Sequence, residues 1–343
     1  GFAVTAVTDA GTGRVTGFTQ VVDQNAADGD EGADTLTSIE VLSFGDTTLD
    51  ATQAVQLFDG TDTLIGTFDT LKAAVDAATA GGETIRIASG DVDLGGAQVV
   101  IDSDLTIEGA GRTATTLLAD LDTATAGDDR GLVLVQSGAE VNVSGLTLDG
   151  NGRDVWQGIR HLGSGSFDHV GFNDITHPGY QGTAIAAFGG ANVDVTNSVF
   201  SEIGRIGVLY FGADQTGTFQ GNTYTGKGAG DQLDYALDIS AGADIDVIGN
   251  TVTQNLGEAS SDGSVSAAFL VSTFFGGGTE AEFSGNDVDG SSYGIFVGYD
   301  ETDTSTVTIG AGNTFDGLTE DGLRVVGNGV VSGAPGISGD SAT

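Results

Sequence analysis

The chain has no cysteine and no methionine, only 2 prolines, 1 tryptophan and 3 histidines in 343 residues. Without cysteine there is neither a disulfide nor thiol chemistry. Basic side chains are scarce as well: 10 Lys plus Arg stand against 49 Asp plus Glu, for a formal charge of −39. Such a chain repels nucleic acid and anionic membrane surfaces. It suits cations, or a salty medium in which carboxylates keep the surface hydrated. No apolar run approaches the roughly 18 residues that a membrane-spanning helix requires, and no signal peptide is present. A start at Gly1 without methionine suggests a processed product or a piece of a longer chain.

What is abundant is glycine, with 58 residues, which supplies the positive-φ corners of tight coils. A short phrase recurs between Val141 and Phe315: apolar alternation, a Gly or Asn, then one large apolar residue. It reads VNVSGLTL (141–148), FDHVGF (167–172), VDVTNSVF (193–200), TFQGNTY (218–224), DVIGNTV (246–252), EFSGNDV (282–288) and AGNTF (311–315). Its closing residues, Leu148, Phe172, Phe200, Tyr224, Val252, Val288 and Phe315, are 24 to 36 residues apart. That irregular period fits stacked β-coils with loops of variable length. The longest interval holds the segment 256–266, read as a loop insertion.

A second phrase falls between copies of the first: GIRHL (158–162), AIAAF (184–188), GVLYF (207–211), ALDIS (236–240), AFLVS (268–272), GIFVG (294–298) and GLRVV (322–326). Its second position is apolar throughout: Ile159, Ile185, Val208, Leu237, Phe269, Ile295 and Leu323. Side chains alternate across a strand, so this column is expected to point into one core. Two strands per coil over at least seven coils spell an all-β solenoid. Asn222, Asn250, Asn286 and Asn313 fall at equivalent corners, where their amides can bond from coil to coil.

The first 60 residues lack these phrases and alternate like short strands at 2–7, 14–22, 35–44 and 54–58. Residues 68–82 read as a helix with Phe68, Leu71, Val75 and Ala78 on one face, Thr67 or Asp69 as its cap and Gly81–Gly82 as its stop. Helix, strand, then LTIEGAG (105–111) resembles the entry to right-handed parallel β-helices of the pectate-lyase-like superfamily, over about residues 65–328. The segment 29–50, GDEGADTLTSIEVLSFGDTTLD, resembles the region beside calcium repeats of RTX-type secreted bacterial proteins, which implies Ca²⁺ near Asp30 and Asp34. The expected layout is a small β segment (1–62), a right-handed parallel β-helix with an N-terminal capping helix (63–328), and a tail or linker (329–343).

Three patterns bear on function. Arg153, Asp154, Trp156, Arg160, His177 and Tyr180 lie close in sequence, together with all three histidines. Trp and Tyr stack on sugar rings and Arg clamps carboxylates, so these six are candidate glycan-binding residues. His161 falls on an inward column with Ala187 and Tyr210, as a core histidine would. Asp231, Asp234 and Asp238 cluster without an aligned base. The motifs of β-helix galacturonases and mannuronan epimerases are absent, THPGY (176–180) sharing only His-Pro with the latter. Outward positions of the second phrase hold Leu162, Phe188, Leu209, Phe211, Leu270 and Phe296, an apolar stripe of the kind that marks a contact surface. Either residues 1–60 or a second copy is expected to cover it. The resulting expectation is a non-catalytic, secreted or cell-surface module for adhesion, surface-layer or filament assembly. The alternative is a carbohydrate-active enzyme (lyase or epimerase), or a glycan-binding β-helix.

Overall fold

A computed structural model describes residues 2–24, 32–45 and 47–333, together with the backbone of Ile337–Gly339. The chain winds into a right-handed parallel β-helix of about nine turns. Three sheets wall the tube. The first has 12 strands, the second 10 and the third 9. A representative coil passes through Glu140–Ser144 in the first sheet, Thr147–Asp149 in the second and Gln157–His161 in the third.

Each coil therefore has three strands rather than the expected two. The first phrase is bent in its middle, and each half is its own strand. The bend is made by a residue with positive φ at Gly145 (66°), His169 (54°), Asn197 (50°), Gly221 (64°), Gly249 (61°), Gly285 (68°) and Gly312 (86°). Glycine dominates there because that region penalises a Cβ, and asparagine tolerates it best among the others. From Ser198 onward the next residue seals the corner. The Oδ1 atoms of Asn222, Asn250, Asn286 and Asn313 accept from the backbone N–H of the preceding coil's equivalent residue at 2.9–3.1 Å. Asn250 and Asn286 also donate to the next Asn at 2.9 Å. The asparagine column is a hydrogen-bonded ladder inside the wall.

The core column falls as expected. Ile159, Ile185, Val208, Leu237, Phe269, Ile295 and Leu323 pair rung to rung in one register. A second pile holds Leu148, Phe172, Phe200, Tyr224, Val252, Val288 and Phe315. Phe172 and Phe200 stack with centroids 5.1 Å apart and planes 8° apart. Each such buried side chain contributes about 1.5–3 kcal/mol of transfer free energy.

The helix is shorter than expected, Leu71–Ala77, with Thr70 as its cap; Thr70 Oγ1 accepts from the Ala73 N–H at 3.3 Å. Phe68 ends the preceding strand, Leu64–Phe68, instead. Leu71, Ala74 and Val75 join the tube's core at its first coil.

The N-terminal strands Phe2–Thr8, Val15–Asp23 and Ala33–Ile39 form an antiparallel sheet. With a hairpin of Val41–Ser43 and Thr48–Asp50 they enclose a small core of Val15, Phe18, Leu49, Ala51 and Phe58. Val55–Phe58 then runs antiparallel beside Glu83–Ile87, covering its open side, and Leu64–Phe68 pairs with Val55–Phe58 as the last strand of the first sheet. Buried Gln56 joins the two parts: its amide accepts from Val15 N–H and donates to Val15 C=O, both at 2.8 Å. The N-terminal segment thus covers a sheet edge and not the apolar stripe, because its own greasy side chains are used in that small core. At the other end, Val330–Ser332 and Ile337–Gly339 continue the first and second sheets within the region expected as a tail.

Candidate functional site

A cavity of about 30 Å³ lies inside the tube among Leu71, Ile107, Val143 and Phe172. It is wholly apolar, so chemistry must be sought on the surface. The outer face of the third sheet is the part that departs from a hydrated acidic wall.

Side chains alternate there as the second phrase requires. Leu237 and Ile239 are buried while Asp238 between them faces out, half-buried. The outward column runs Arg160, Ala186, Leu209, Asp238, Leu270, Phe296 and Arg324 in register. Asp238 is its one carboxylate. Burial beside Leu209 and Leu270 pushes its pKa up to about 6; the hydrogen bond from Ser240 Oγ and the charge of Arg205 oppose the rise. A carboxyl in this range can carry a proton near neutral pH, as a proton-transferring group must.

The other two aspartates of the cluster go elsewhere. Asp231 is exposed and accepts from Ser260 N–H and Oγ, pinning the 256–266 insertion. Asp234 is buried at the coil's corner, where it accepts from Tyr224 O–H and from the Lys227 N–H at 2.8 Å. Burial pushes Asp234 up and Lys227 down, and the Lys227 Nζ donates to the Ile203 and Gly204 carbonyls. That network fastens a corner.

A row of aromatic rings follows the next outward column. Phe188 and Phe211 lie 5.1 Å apart on successive rungs. The following two rungs carry Ser240 and Ser272 at this position. The loop after Ala267–Ser272 brings Phe275 to 5.3 Å from Phe211, and Phe274 continues to Tyr299 of the next coil at 4.1 Å. Phe274, Phe275 and Tyr299 are 49%, 64% and 55% exposed. The Arg160 guanidinium rests over the Phe188 ring at 4.7 Å and heads the row.

The six glycan-binding candidates divide. Trp156 and His177 meet on adjacent coils, centroids 4.9 Å apart, just before the third-sheet strands. Arg153, Asp154 and Tyr180 are exposed around them. Arg160 leaves this group: its Nε donates to Asp128 at 2.7 Å, not to Asp154. His161 is a core residue. Its Nδ1–H donates to the Gly163 carbonyl at 3.1 Å, and burial lowers its pKa to about 4. Leu162, Phe188, Leu209, Phe211, Leu270 and Phe296 all face outward and are half-buried. Phe274, Phe275 and Tyr299 were missed because they sit in loops with no fixed spacing; the aromatic pair after the AFLVS phrase was the available signal.

Asp30 lies outside the described residues, while Asp34 is exposed on its strand, paired with Val21. Among the described residues no group of three or more His, Asp and Glu is arranged to hold a metal ion. Among them, too, no helix is long and apolar enough to cross a membrane.

No protein-family model and no curated protein matches the chain. Solved structures do. An alginate lyase from Paenibacillus sp. str. FPU-7 is 14% identical, with 78% of this chain and 96% of that one covered and a TM-score of 0.40. An α-1,3-glucanase catalytic unit from Streptomyces thermodiastaticus is 15% identical, with 90% and 72% covered and a TM-score of 0.42. A mannuronan C-5 epimerase A-module from Azotobacter vinelandii is 19% identical, with 80% and 95% covered and a TM-score of 0.29. At such identities the likeness concerns the fold alone, a right-handed parallel β-helix. These neighbours are mostly polysaccharide-active enzymes, which corrects the expectation of a non-catalytic assembly module toward its carbohydrate-active alternative. The RTX resemblance finds no counterpart among them.

Proposed function

We propose that this chain is a carbohydrate-active protein that holds a polysaccharide along the outer face of the third sheet, with Asp238 as the proton-transferring group. One observation carries the reading: a carboxyl with a pKa near 6 stands on the same face as a continuous row of rings, three of them exposed. The rings offer flat apolar platforms that sugar faces cover, while half-buried Asp238, on the adjacent outward column, offers a hydroxyl partner beside them. When protonated, Asp238 can donate to a glycosidic oxygen; when ionised, it can accept from a hydroxyl or water. A polymer of this kind is met outside the cell, so an extracellular place of action belongs to the same proposal.

The test is turnover of a polysaccharide panel, read as new reducing ends and as ultraviolet absorbance of unsaturated products. Asp238→Asn should lose at least roughly a hundredfold in rate and keep its binding. If the wild-type chain turns over no member of the panel, or if Asp238→Asn matches it, the reading fails.

A further inference from the structure

The face that carries the rings also says which class of glycan it can hold. We infer that the row Phe188–Phe211–Phe275–Phe274–Tyr299 is the binding track of an uncharged polysaccharide chain, running along the tube axis; this rests on the carbohydrate reading above and sharpens it.

Contiguity together with exposure sets these rings apart. Phe274, Phe275 and Tyr299 are each about half or more exposed and are joined by ring contacts into one apolar patch on a chain of charge −39. They are not leftovers of a core. Phe274 and Phe275 follow a buried strand in a glycine-rich loop, and ring contacts of 4.4 and 5.3 Å hold them in line with Phe211.

Their extent fits a polymer. The row starts just past the third-sheet strand Thr183–Ala187 and passes Ile206–Phe211, Tyr235–Ser240 and Ala267–Ser272. It ends in the turn beyond Tyr293–Val297, four rungs from its start. At a rung spacing of about 4.8 Å, four spacings span roughly 19 Å. That length suits several consecutive sugar rings rather than one small molecule. Beside the row, the adjacent outward column runs Ala186, Leu209, Asp238, Leu270 and Phe296, so a carboxylate breaks the apolar ground next to the rings.

Charge then selects among glycans. A polyuronate or sulfated glycan needs free cations along its path, and the face offers few. Arg160 is paired with Asp128 at 2.7 Å, Arg205 interacts with the carboxylates of Asp238 and Asp262, and Arg324 stands exposed at the far end of the adjacent column. Tyr299 is followed directly by Asp300, Glu301 and, after Thr302, Asp303. A polyanion would meet repulsion from these and from the molecule as a whole. An uncharged glycan meets none, and its hydroxyls can donate to the same carboxylates.

Affinity gel electrophoresis decides the matter, with hydroxyethyl cellulose, laminarin and dextran as neutral probes and alginate and polygalacturonate as charged ones. At least one neutral probe should retard the wild-type chain, and Phe274→Ala with Phe275→Ala should weaken that retardation about tenfold or more. Both side chains are exposed, so the double variant should keep the wild-type circular dichroism spectrum. Retardation by the uronates alone would overturn the inference and leave the carbohydrate reading standing. No retardation by any probe, with no turnover, would remove both. Neutral binding indifferent to the double variant would place the track elsewhere and overturn the inference. A concentration-dependent mass in light scattering that the double variant abolishes would make the row an interface between copies, again overturning it.

Discussion

His161 and Asp238 lie on opposite sides of the same sheet, and burial moves their titrations in opposite directions. For His161 the folded pKa, about 4, is below the unfolded value of 6.5. The unfolded chain therefore takes up the proton first on acidification, and stability falls as pH drops from about 6.5 toward 4. At about pH 5 the loss from this group is about 2 kcal/mol. His161→Leu should show that much less destabilisation between neutral pH and that point in urea titrations; an equal loss in both proteins would refute the assignment. For Asp238 the sign reverses. Its folded pKa, about 6, is raised, so its contribution is present below the unfolded value and lost as pH rises through 6. Discounted for partial hydration, the ionised form costs about 1 kcal/mol. Asp238→Asn should thus gain about that much over wild type at about pH 8 and little at about pH 4, measured the same way.

Among the elements, the corner ladder is the most testable. Removing Asn286 takes an acceptor from the Asn250 N–H and amide and a donor from Asn313 Oδ1 and the Val247 carbonyl. All of these are buried, so Asn286→Ala should cost about 3 kcal/mol or more in urea unfolding, far above an average surface substitution. Serine, which occupies the equivalent corner at Ser198 and donates to the Thr196 carbonyl, should recover part of the loss. This ladder was legible in the sequence because a polar residue recurred beside glycine in an otherwise apolar phrase. The inward column of the third sheet was legible because strand alternation leaves one parity for the core. The bend inside the first phrase was not, since a short strand, a corner and a second short strand look like one alternating run. Position also misled for the aspartates. Asp231, Asp234 and Asp238 are neighbours in sequence, yet a corner and a strand send them to a loop, the corner network and the outer face. Only the alternation around Leu237 and Ile239 marked Asp238 as outward. The rings of Phe274, Phe275 and Tyr299 were beyond that logic, because loops of different lengths converge on one line only after folding.

For the whole molecule, the governing quantity is a charge of −39 spread over a narrow tube. Ion pairs relieve little of it: Arg86 with Asp62 and Glu108, Lys72 with Asp76 and Arg160 with Asp128 use up a few carboxylates out of 49. Self-repulsion therefore opposes the compact state at neutral pH, and salt should relieve it, since the screening length falls from about 10 Å at 0.1 M to about 3 Å at 1 M. The Tm should climb by several degrees over that range, equally in sodium and choline chloride. Stabilisation by one particular cation alone would point to site binding instead of screening. Glycan binding on the ring track should behave differently from stability. Stacking on uncharged sugars releases no counterions, so neutral-probe retardation should stay flat across the same salt range. A polyanion held by residual cations would weaken steeply. The two responses, measured side by side, separate a tube that is merely acidic from one whose acidity selects its ligand.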